Sequence, residues 1–436
     1  MKEVFIPKSD ALEVEQFRDI DYYAVENYGL PIELMMENAG LQLANLVAQS
    51  VENKSRSILI GIGNGNNGGG GLVAARRLSA WGYRVYLDLF KEINKDLPKL
   101  QLERALKFGA IMEKIEDPDV WVDAYLGFSQ RLPLPAELTE RISEANNGQC
   151  LKISLDLPTG YTNEDSEHYF QADKVLTLAA PKKILYGLSR ADIYVADLGI
   201  PGAIYEKFNA KILPFQDGNI IKLKKEIYMP DGVTSVIELH RGMLSKGESS
   251  VTILEFIKEY ADRLKAGFEA KNKAVAIDIL NYYKPLMGRT QEEIFKESLE
   301  DSDFLIIAAN VHGYDSSDKI PTELIDIKFE KAVDLLLAGE YYDLKVMLEE
   351  SPHLVHQHSQ FGHKGQLIHY CASNAVEIYR QVVPVNLSDI IALLISYGAD
   401  PTVKIPVYGG QFDFMALYES SAHPHEAPFD IDLSNL

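Results

Sequence analysis

At 436 residues the chain is long for one domain and comfortable for two or three. Its 46% hydrophobic and 25% charged residues are ordinary globular composition, enough to bury a large core. The formal charge of −21 argues against a general nucleic-acid binder and disfavours anionic membrane surfaces, because a polyanion is repelled unless a local basic face overrides the total.

The first predicted elements are helices. DALEVEQFRDIDYYAVENYG and PIELMMENAGLQLANLVAQSV carry apolar residues three and four apart, so two amphipathic helices should pack on a sheet. From Ser57 to Pro201 the apolar runs SILIGIG, YRVYLDL, VWVDAYLG, CLKISLDLP, KVLTLAAP and IYVADLGIP read as buried strands. Helical segments such as GLVAARRLSAWG and PAELTERISEAN separate the earlier ones. Near-continuous apolar strands alternating with helices predict an α/β fold with a parallel sheet covered on both faces.

Past Lys222 the pattern turns helical in period, without recurrent apolar strands. DFLIIAANV reads equally as one strand or a buried helical turn. From Phe329 onwards short paired helices end in a glycine turn. There QLIHYCA (Gln366–Ala372) resembles an ankyrin helix start and IIALLISYGADP (Ile390–Pro401) a second ankyrin helix with its turn. EIYRQVVPVN is an insert between them. The expected organisation is a first domain over residues 1–222, a helical connecting region over 223–328 and an ankyrin-like repeat domain over 329–436. So few repeats cannot stand alone as a solenoid, and they need another surface to cover their apolar faces.

Cys150 and Cys371 lie far apart and form no CxxC pair, so neither a disulfide framework nor a zinc site is expected. The start of the chain has no apolar stretch of secretory type, and no run of 18 apolar residues suggests a membrane span. A cytoplasmic protein is the expectation.

The densest signal is IGIGNGNNGGGGLVAARRL, Ile60 to Leu78, between a strand and a helix. Gly63, Gly65 and Gly68 satisfy G-x-G-x-x-G, and Asp88 follows twenty residues after Gly68 at the end of the next strand, a dinucleotide-binding fingerprint. That fingerprint leaves the asparagines and the extra glycines unexplained. A flexible linker is the bland alternative. Asp156, at the end of the SLDLP strand, reads either as a turn carboxylate before Pro158 or as a group at the strand end where open α/β sheets bind ligands.

GNGNNGGGGLVAARRL resembles the G-x-G-N-N-G-G-D-G signature of the NAD(P)HX epimerase family, the YjeF N-terminal domain. PIELMMENAG, VDAYLGFSQR, SLDLPTG, ADKVLTLAAPK and DLGIP continue the resemblance in order over about two hundred residues. The resemblance implies a Rossmann-like three-layer α/β/α sandwich, a homodimer, and interconversion of the R and S forms of hydrated NADH or NADPH. It implies that Asn66, Asn67, Gly68, Gly69 and Gly70 in the loop line the nucleotide. The stretch Gly127, Phe128, Ser129, Gln130, Arg131, Leu132 and Pro133 would do the same. Asn67, Asp123 and Thr159 would hold a potassium ion, and Asp156 would be the catalytic carboxylate, protonating the leaving oxygen and stabilising an iminium-like cation.

Two positions depart from the family. Gly70 stands where the signature has Asp, which puts turnover in question without removing the nucleotide scaffold. Arg131 stands where relatives commonly carry Lys. A catalytically degenerate nucleotide- or protein-binding module is therefore the alternative function, and an NAD-dependent oxidoreductase a third. The ankyrin-like half is expected to bind a protein partner. Elsewhere, His353, His356 and His358 spell H-x-x-H-x-H without a completing carboxylate or cysteine. Lys222, Lys224 and Lys225 read as a solvated linker, and Cys371 as a packing residue.

Overall fold

The computed structural model describes every residue except 52, 164–165, 244–250, 408 and 435–436. The chain forms two compact units, Met1–Lys224 and Lys225–Leu436.

The first unit is built on an eight-stranded sheet. In chain order its strands are β1 (Lys2–Val4), β2 (Ser57–Ile62), β3 (Arg84–Leu89), β4 (Val120–Ala124), β5 (Leu151–Leu155), β6 (Lys174–Leu178), β7 (Asp192–Ala196) and β8 (Ile220–Leu223). Their spatial order is β1-β8-β7-β6-β5-β4-β2-β3. The six strands from β3 to β7 run parallel, and only the β7–β8 pairing is antiparallel. All six apolar runs of the sequence thus form strands. The two edge-side additions, β1 and β8, escaped because they are three and four residues long and carry lysines. Lys222 is accordingly no linker residue. It lies in β8, with Nζ 3.1 Å from the buried carboxylate of Asp192.

Six helices cover this sheet: α1 (Val14–Tyr28), α2 (Ile32–Ser50), α3 (Asn66–Ala80), α4 (Asp96–Lys107), α5 (Ala136–Asn147) and α6 (Gly202–Lys207). A reciprocal capping box of Glu13 and Gln16 starts α1, and Gly29 at φ +63° ends it in the left-handed conformation that glycine adopts without strain. The glycine run is not a loop or a linker. Gly68 to Gly71 are buried in the first two turns of α3, wedged between α2 and the sheet. A Cβ at Gly69 would lie 2.6 Å from the Met36 sulfur, and one at Gly71 would lie 2.6 Å from the Cβ of Ala124. Gly40 of α2 mirrors them, with a Cβ there falling 2.4 Å from that of Val73. Bare backbone lets two helices and a sheet approach where side chains would hold them apart.

The second unit is predominantly helical. It contains α7 (Val233–His240), α8 (Ile253–Glu269), α9 (Lys273–Tyr282), α10 (Gln291–Ile294), α11 (Asp301–Val311), α12 (Ile327–Leu337), α13 (Tyr341–Glu350), α14 (Leu367–Tyr370), α15 (Leu387–Ser396), α16 (Phe414–Ser420) and α17 (His423–Glu426). Among the described residues its ladders are two short antiparallel pairs. One joins β9 (Ile227–Tyr228) to β10 (Val383–Pro384), the other β11 (Ile405–Val407) to β12 (Gly410–Phe412). DFLIIAANV resolves as helix α11, opened by the capping box of Glu300 and Asp303. One apolar cluster gathers around α8, α9 and α11, and another around α12 to α16.

Candidate active site

The carboxyl ends of β2, β4 and β5 bring four stretches together. Behind β2, Gly65 is the N-cap of α3 and supplies no side-chain cap, so no side chain closes the helix's first turn. Asn67 in that turn donates its Nδ2 to the carbonyls of Leu126, 2.7 Å away, and Leu155, 3.2 Å away, so α3 is tied to the ends of both β4 and β5. Gly127 fits between them: a Cβ there would stand 3.1 Å from Asn67 Cγ and 3.1 Å from Asp156 Oδ2. Asn67 and Asp156 therefore face one small space.

Asp156 follows directly on β5 and has φ +69°, a conformation few residues other than glycine adopt. Its carboxylate is 1% exposed. Oδ2 accepts the N–H of Phe128 at 2.9 Å, and Oδ1 lies 2.8 Å from Nζ of Lys182, itself fully buried. The Lys182 ammonium also donates to Thr177 Oγ1 at 2.8 Å and sits 3.9 Å above the ring of Phe17, which meets Phe128 edge-on. Burial lowers the pKa of Lys182, while the neighbouring carboxylates of Asp156 and Asp21 oppose that shift. Asp21, half-buried on α1, is itself raised, first by burial and then by the charge of Asp156.

Asp123, at the end of β4, is buried without any cationic side chain beside it among the described residues. Oδ1 accepts the Thr159 hydroxyl at 2.6 Å and the N–H of Tyr125 at 3.2 Å. Oδ2 accepts the Ser154 hydroxyl at 2.9 Å and the N–H of Thr159 at 2.8 Å. Burial outweighs these bonds and pushes the carboxyl up to about 6. The Thr159 hydroxyl in turn accepts the N–H of Leu126 at 3.2 Å, and Leu126 is also the partner of Asn67. Asn67, Asp123 and Thr159 are thus joined through one residue, Leu126, whose carbonyl accepts from Asn67 and whose N–H donates to Thr159.

The expected nucleotide-lining residues divide. Asn66 is exposed and Asn67 half-buried in the first turn of α3, whereas Gly68, Gly69 and Gly70 are buried in the helix as packing positions. The direction a Gly70 side chain would take meets Leu155 Cδ2 at 3.0 Å and Ala39 at 3.9 Å. Ser129, Arg131, Leu132 and Pro133 are exposed, and Gly127 and Phe128 half-buried. Gln130 clamps the Pro158–Tyr161 turn, its Oε1 accepting the N–H of Gly160 at 2.7 Å and its Nε2 reaching the carbonyls of Pro158 and Tyr161. Beside these residues opens a cleft of about 540 Å³ walled by Phe128, Gln130, Leu157 and Tyr161.

Lys182, Asp21 and Ser154 were missed as site residues. Asp21 had a readable signal, since it lies one turn beyond Phe17 on the buried face of α1, where an acid is out of place. Lys182 ends the quoted block ADKVLTLAAPK, between Pro181 and Lys183 beyond a strand end, and nothing in its spacing ties it to Asp156. The histidines 353, 356 and 358 form no three-ligand cluster among the described residues. His358 faces the Lys364 carbonyl at 2.7 Å instead. Cys371 is buried and its thiol pushed up by burial, as suits a packing residue.

Residues 32–184 match the family described as YjeF-related protein N-terminus. Over 213 residues the chain is 32% identical to the NAD(P)H-hydrate epimerase of Rhodopirellula baltica, spanning 45% of this chain and 86% of that one. It is 33% identical over 224 residues to the protein of that name from Dehalogenimonas lykanthroporepellens, spanning 48% of this chain and 91% of that one. A yeast crystal structure aligns with 49% of this chain and 99% of its own at 22% identity, with a TM-score of 0.46. Through its N-terminal half, this chain belongs to the YjeF-related family of NAD(P)H-hydrate epimerases.

Proposed function

We propose that the N-terminal unit is an NAD(P)H-hydrate epimerase, an isomerase that interconverts the R and S forms of hydrated NADH and NADPH. The observation that carries this reading is the Asp156–Lys182 pair, closed off from water at the sheet's carboxyl edge beside an uncapped helix N-terminus. The first turn of α3 from Asn66 and the backbone of Gly127–Pro133 offer N–H groups to the substrate's phosphates. Asp156 and Lys182 supply the proton chemistry at the ring. The C6–O bond breaks as the pair protonates the departing oxygen, and the ring nitrogen's lone pair forms the iminium. Water then adds to the other face, and its proton returns to the pair. The Asp156 carboxylate stabilises the cation between these steps in a site where little water competes. Burial makes the Lys182 ammonium a stronger acid than a surface lysine, which suits it to hold and release that proton.

Potassium fits the neighbouring residues, because the buried Asp123 carboxylate with the Ser154 and Thr159 hydroxyls on it gathers the oxygen atoms that a hard cation favours. Asn67, Asp123 and Thr159 would hold the ion, and its charge would offset that of Asp123 beneath the Leu126 peptide. The same reading includes a homodimer working in the cytoplasm. No helix among the described residues is long and apolar enough to cross a membrane. We also read the C-terminal half as ankyrin-like and devoted to protein interaction. In support, His369 Nδ1 accepts the N–H of Gln366 at 3.1 Å and its Nε2 meets the Val403 carbonyl at 3.0 Å, tying a helix start to a following turn.

Gly70 motivates the second reading, a degenerate binder without turnover. Its side-chain direction faces Leu155 and Ala39, so the missing carboxylate takes nothing directly from Asp156 and Lys182. That favours a working enzyme. The test is epimerisation of purified R- or S-NADHX by the full chain. Turnover is expected, with a loss of about 10³-fold in Asp156→Ala. An inert wild type that gains activity in Gly70→Asp would establish the degenerate reading instead.

A further inference from the structure

Asp21 has no part in the proton chemistry assigned to Asp156 and Lys182, yet it is half-buried next to them. It lies on α1 one turn beyond Phe17, beside the buried face of Phe17, Ile20 and Ala24. Backbone bonds fasten the chain before this helix to the Lys182 segment. Leu12 donates its N–H to the Pro181 carbonyl at 2.9 Å, and its own carbonyl accepts the N–H of Lys183 at 2.9 Å. Phe17 completes the contact, with its ring 3.9 Å from Lys182 Nζ. Packing of α1 therefore fixes an acid beside the ammonium.

Lys182 has no donor to spare for that acid. Its three N–H bonds go to Asp156 Oδ1 at 2.8 Å, Thr177 Oγ1 at 2.8 Å and the Leu178 carbonyl at 3.3 Å. Asp21 makes neither a hydrogen bond nor an ion pair at contact distance among the described residues. The charges that act on its carboxylate are those of Asp156 and Lys182. Other charged groups on and around α1 are engaged elsewhere. Arg18 pairs with Asp19 at 3.9 Å, Glu13 with Lys183 at 2.7 Å, and Lys207 of α6 lies 4.9 Å from the Tyr23 ring. An acid in this position loses water without gaining a bond, which disfavours the folded state. Its charge does act on Lys182, where burial works against the ammonium and each nearby carboxylate favours it.

We propose that Asp21 is a positioning residue for epimerisation, a second carboxylate whose charge keeps the proton of the Asp156–Lys182 pair on Lys182 Nζ. This inference rests on the epimerase reading of that pair. It assigns Asp21 an effect through space alone, so removing the charge leaves every bond of Lys182 in place.

The test is Asp21→Asn in the full chain, with Asp21→Glu beside it. Asparagine keeps the size and removes the charge, so Lys182 should release its proton at lower pH. The alkaline limb of kcat/KM for S-NADHX should move down by about one pH unit, a loss of about tenfold on that limb, with the acid side little changed. Asp21→Glu restores the charge and should return the limb most of the way to wild type. Asp21→Asn should also unfold at the same urea concentration as wild type or a higher one, where an acid with a structural task would lose stability. NMR of isotope-labelled lysine Cε, with the Lys182 signal identified by its loss in Lys182→Met, follows the same proton without turnover. A Lys182 signal that titrates at lower pH in Asp21→Asn supports the charge effect even in a wild type that fails to epimerise, a failure that would strike the epimerase reading alone. An unmoved Lys182 signal, an unmoved alkaline limb in an active enzyme, or a lowered urea midpoint in Asp21→Asn would overturn the inference.

Discussion

Both units hide an ion cluster from water, and the clusters balance differently. In the N-terminal unit Asp156 and Lys182 form one direct pair at 2.8 Å, with half-buried Asp21 acting on both through its charge, and the second oxygen of Asp156 is taken by the N–H of Phe128. In the C-terminal unit Glu330 and Glu377 share Arg380, with the exposed Asp334 carboxylate 3.9 Å from the same guanidinium. A buried pair that closes can pass a proton between its members without stranding a charge. Where two buried acids share one guanidinium, Glu377 Oε2 is left without a hydrogen bond from a described residue.

The largest effect should follow from removing the shared guanidinium. Arg380→Met strands two buried carboxylates, and breaking such a cluster costs about 3–5 kcal/mol. Amide hydrogen exchange is the appropriate readout because it resolves the two units. Protection in α12, which carries Glu330, should fall while that in α3 is unchanged. Unaltered exchange in α12 would mean that the Arg380 guanidinium contributes little to holding this cluster.

The matching cut in the other unit is Lys182→Met. It leaves Asp156 with the Phe128 N–H alone and should cost about 3 kcal/mol, as breaking a buried pair on one side does. Adding Asp156→Asn should recover most of that stability and none of the turnover. If the double variant stays as unstable as the single one, Lys182 contributes packing on Phe17 and little charge.

Asp123 sharpens the contrast, being a buried acid with no cationic side chain beside it among the described residues. Its pKa is raised from 3.8 to about 6, so the folded state favours the protonated form. The sign follows from linkage. Stability attributable to this group is intact below pH 4 and falls as pH rises to 6, by about 3 kcal/mol in all. A bound cation favours the ionised form and opposes the loss. Stability in potassium chloride should therefore pull ahead of that in tetramethylammonium chloride as pH climbs through 6. Asp123→Asn should remove both the slope and the potassium dependence, and an identical slope in that variant would assign it to another group.

The sequence carried the six strands β2 to β7 because each lies in a largely apolar run flanked by turns. It hid β1 and β8, whose three and four residues mix lysine with apolar side chains and leave no period to detect. Asp123, Asp156, Asn67 and Thr159 were legible through the family blocks in which they stand. Lys182 and Asp21 were not, because their relation to Asp156 exists only after β6 and α1 pack beside β5. DFLIIAANV was undecidable from its apolar run, and the turn chemistry of Glu300 and Asp303 settled it as helix.

The smallest effect separates two glycines that look interchangeable in GNGNNGGGG. An added Cβ at Gly68 would lie 1.9 Å from the carbonyl oxygen of Gly63, a backbone atom that moves only if the β2–α3 turn moves. At Gly70 it would meet Leu155 Cδ2 at 3.0 Å, the end of a side chain that can rotate. Gly68→Ala should therefore cost about 2 kcal/mol by overpacking. Gly70→Ala should stay within about 1 kcal/mol of wild type, as the helix-propensity gain of alanine offsets a small clash. Urea unfolding of the pair measures the difference. Equal costs would mean that the run needs glycine for the helix as a whole. Unequal costs would place the close approach at the turn in front of Asn67, where the nucleotide phosphates are proposed to bind.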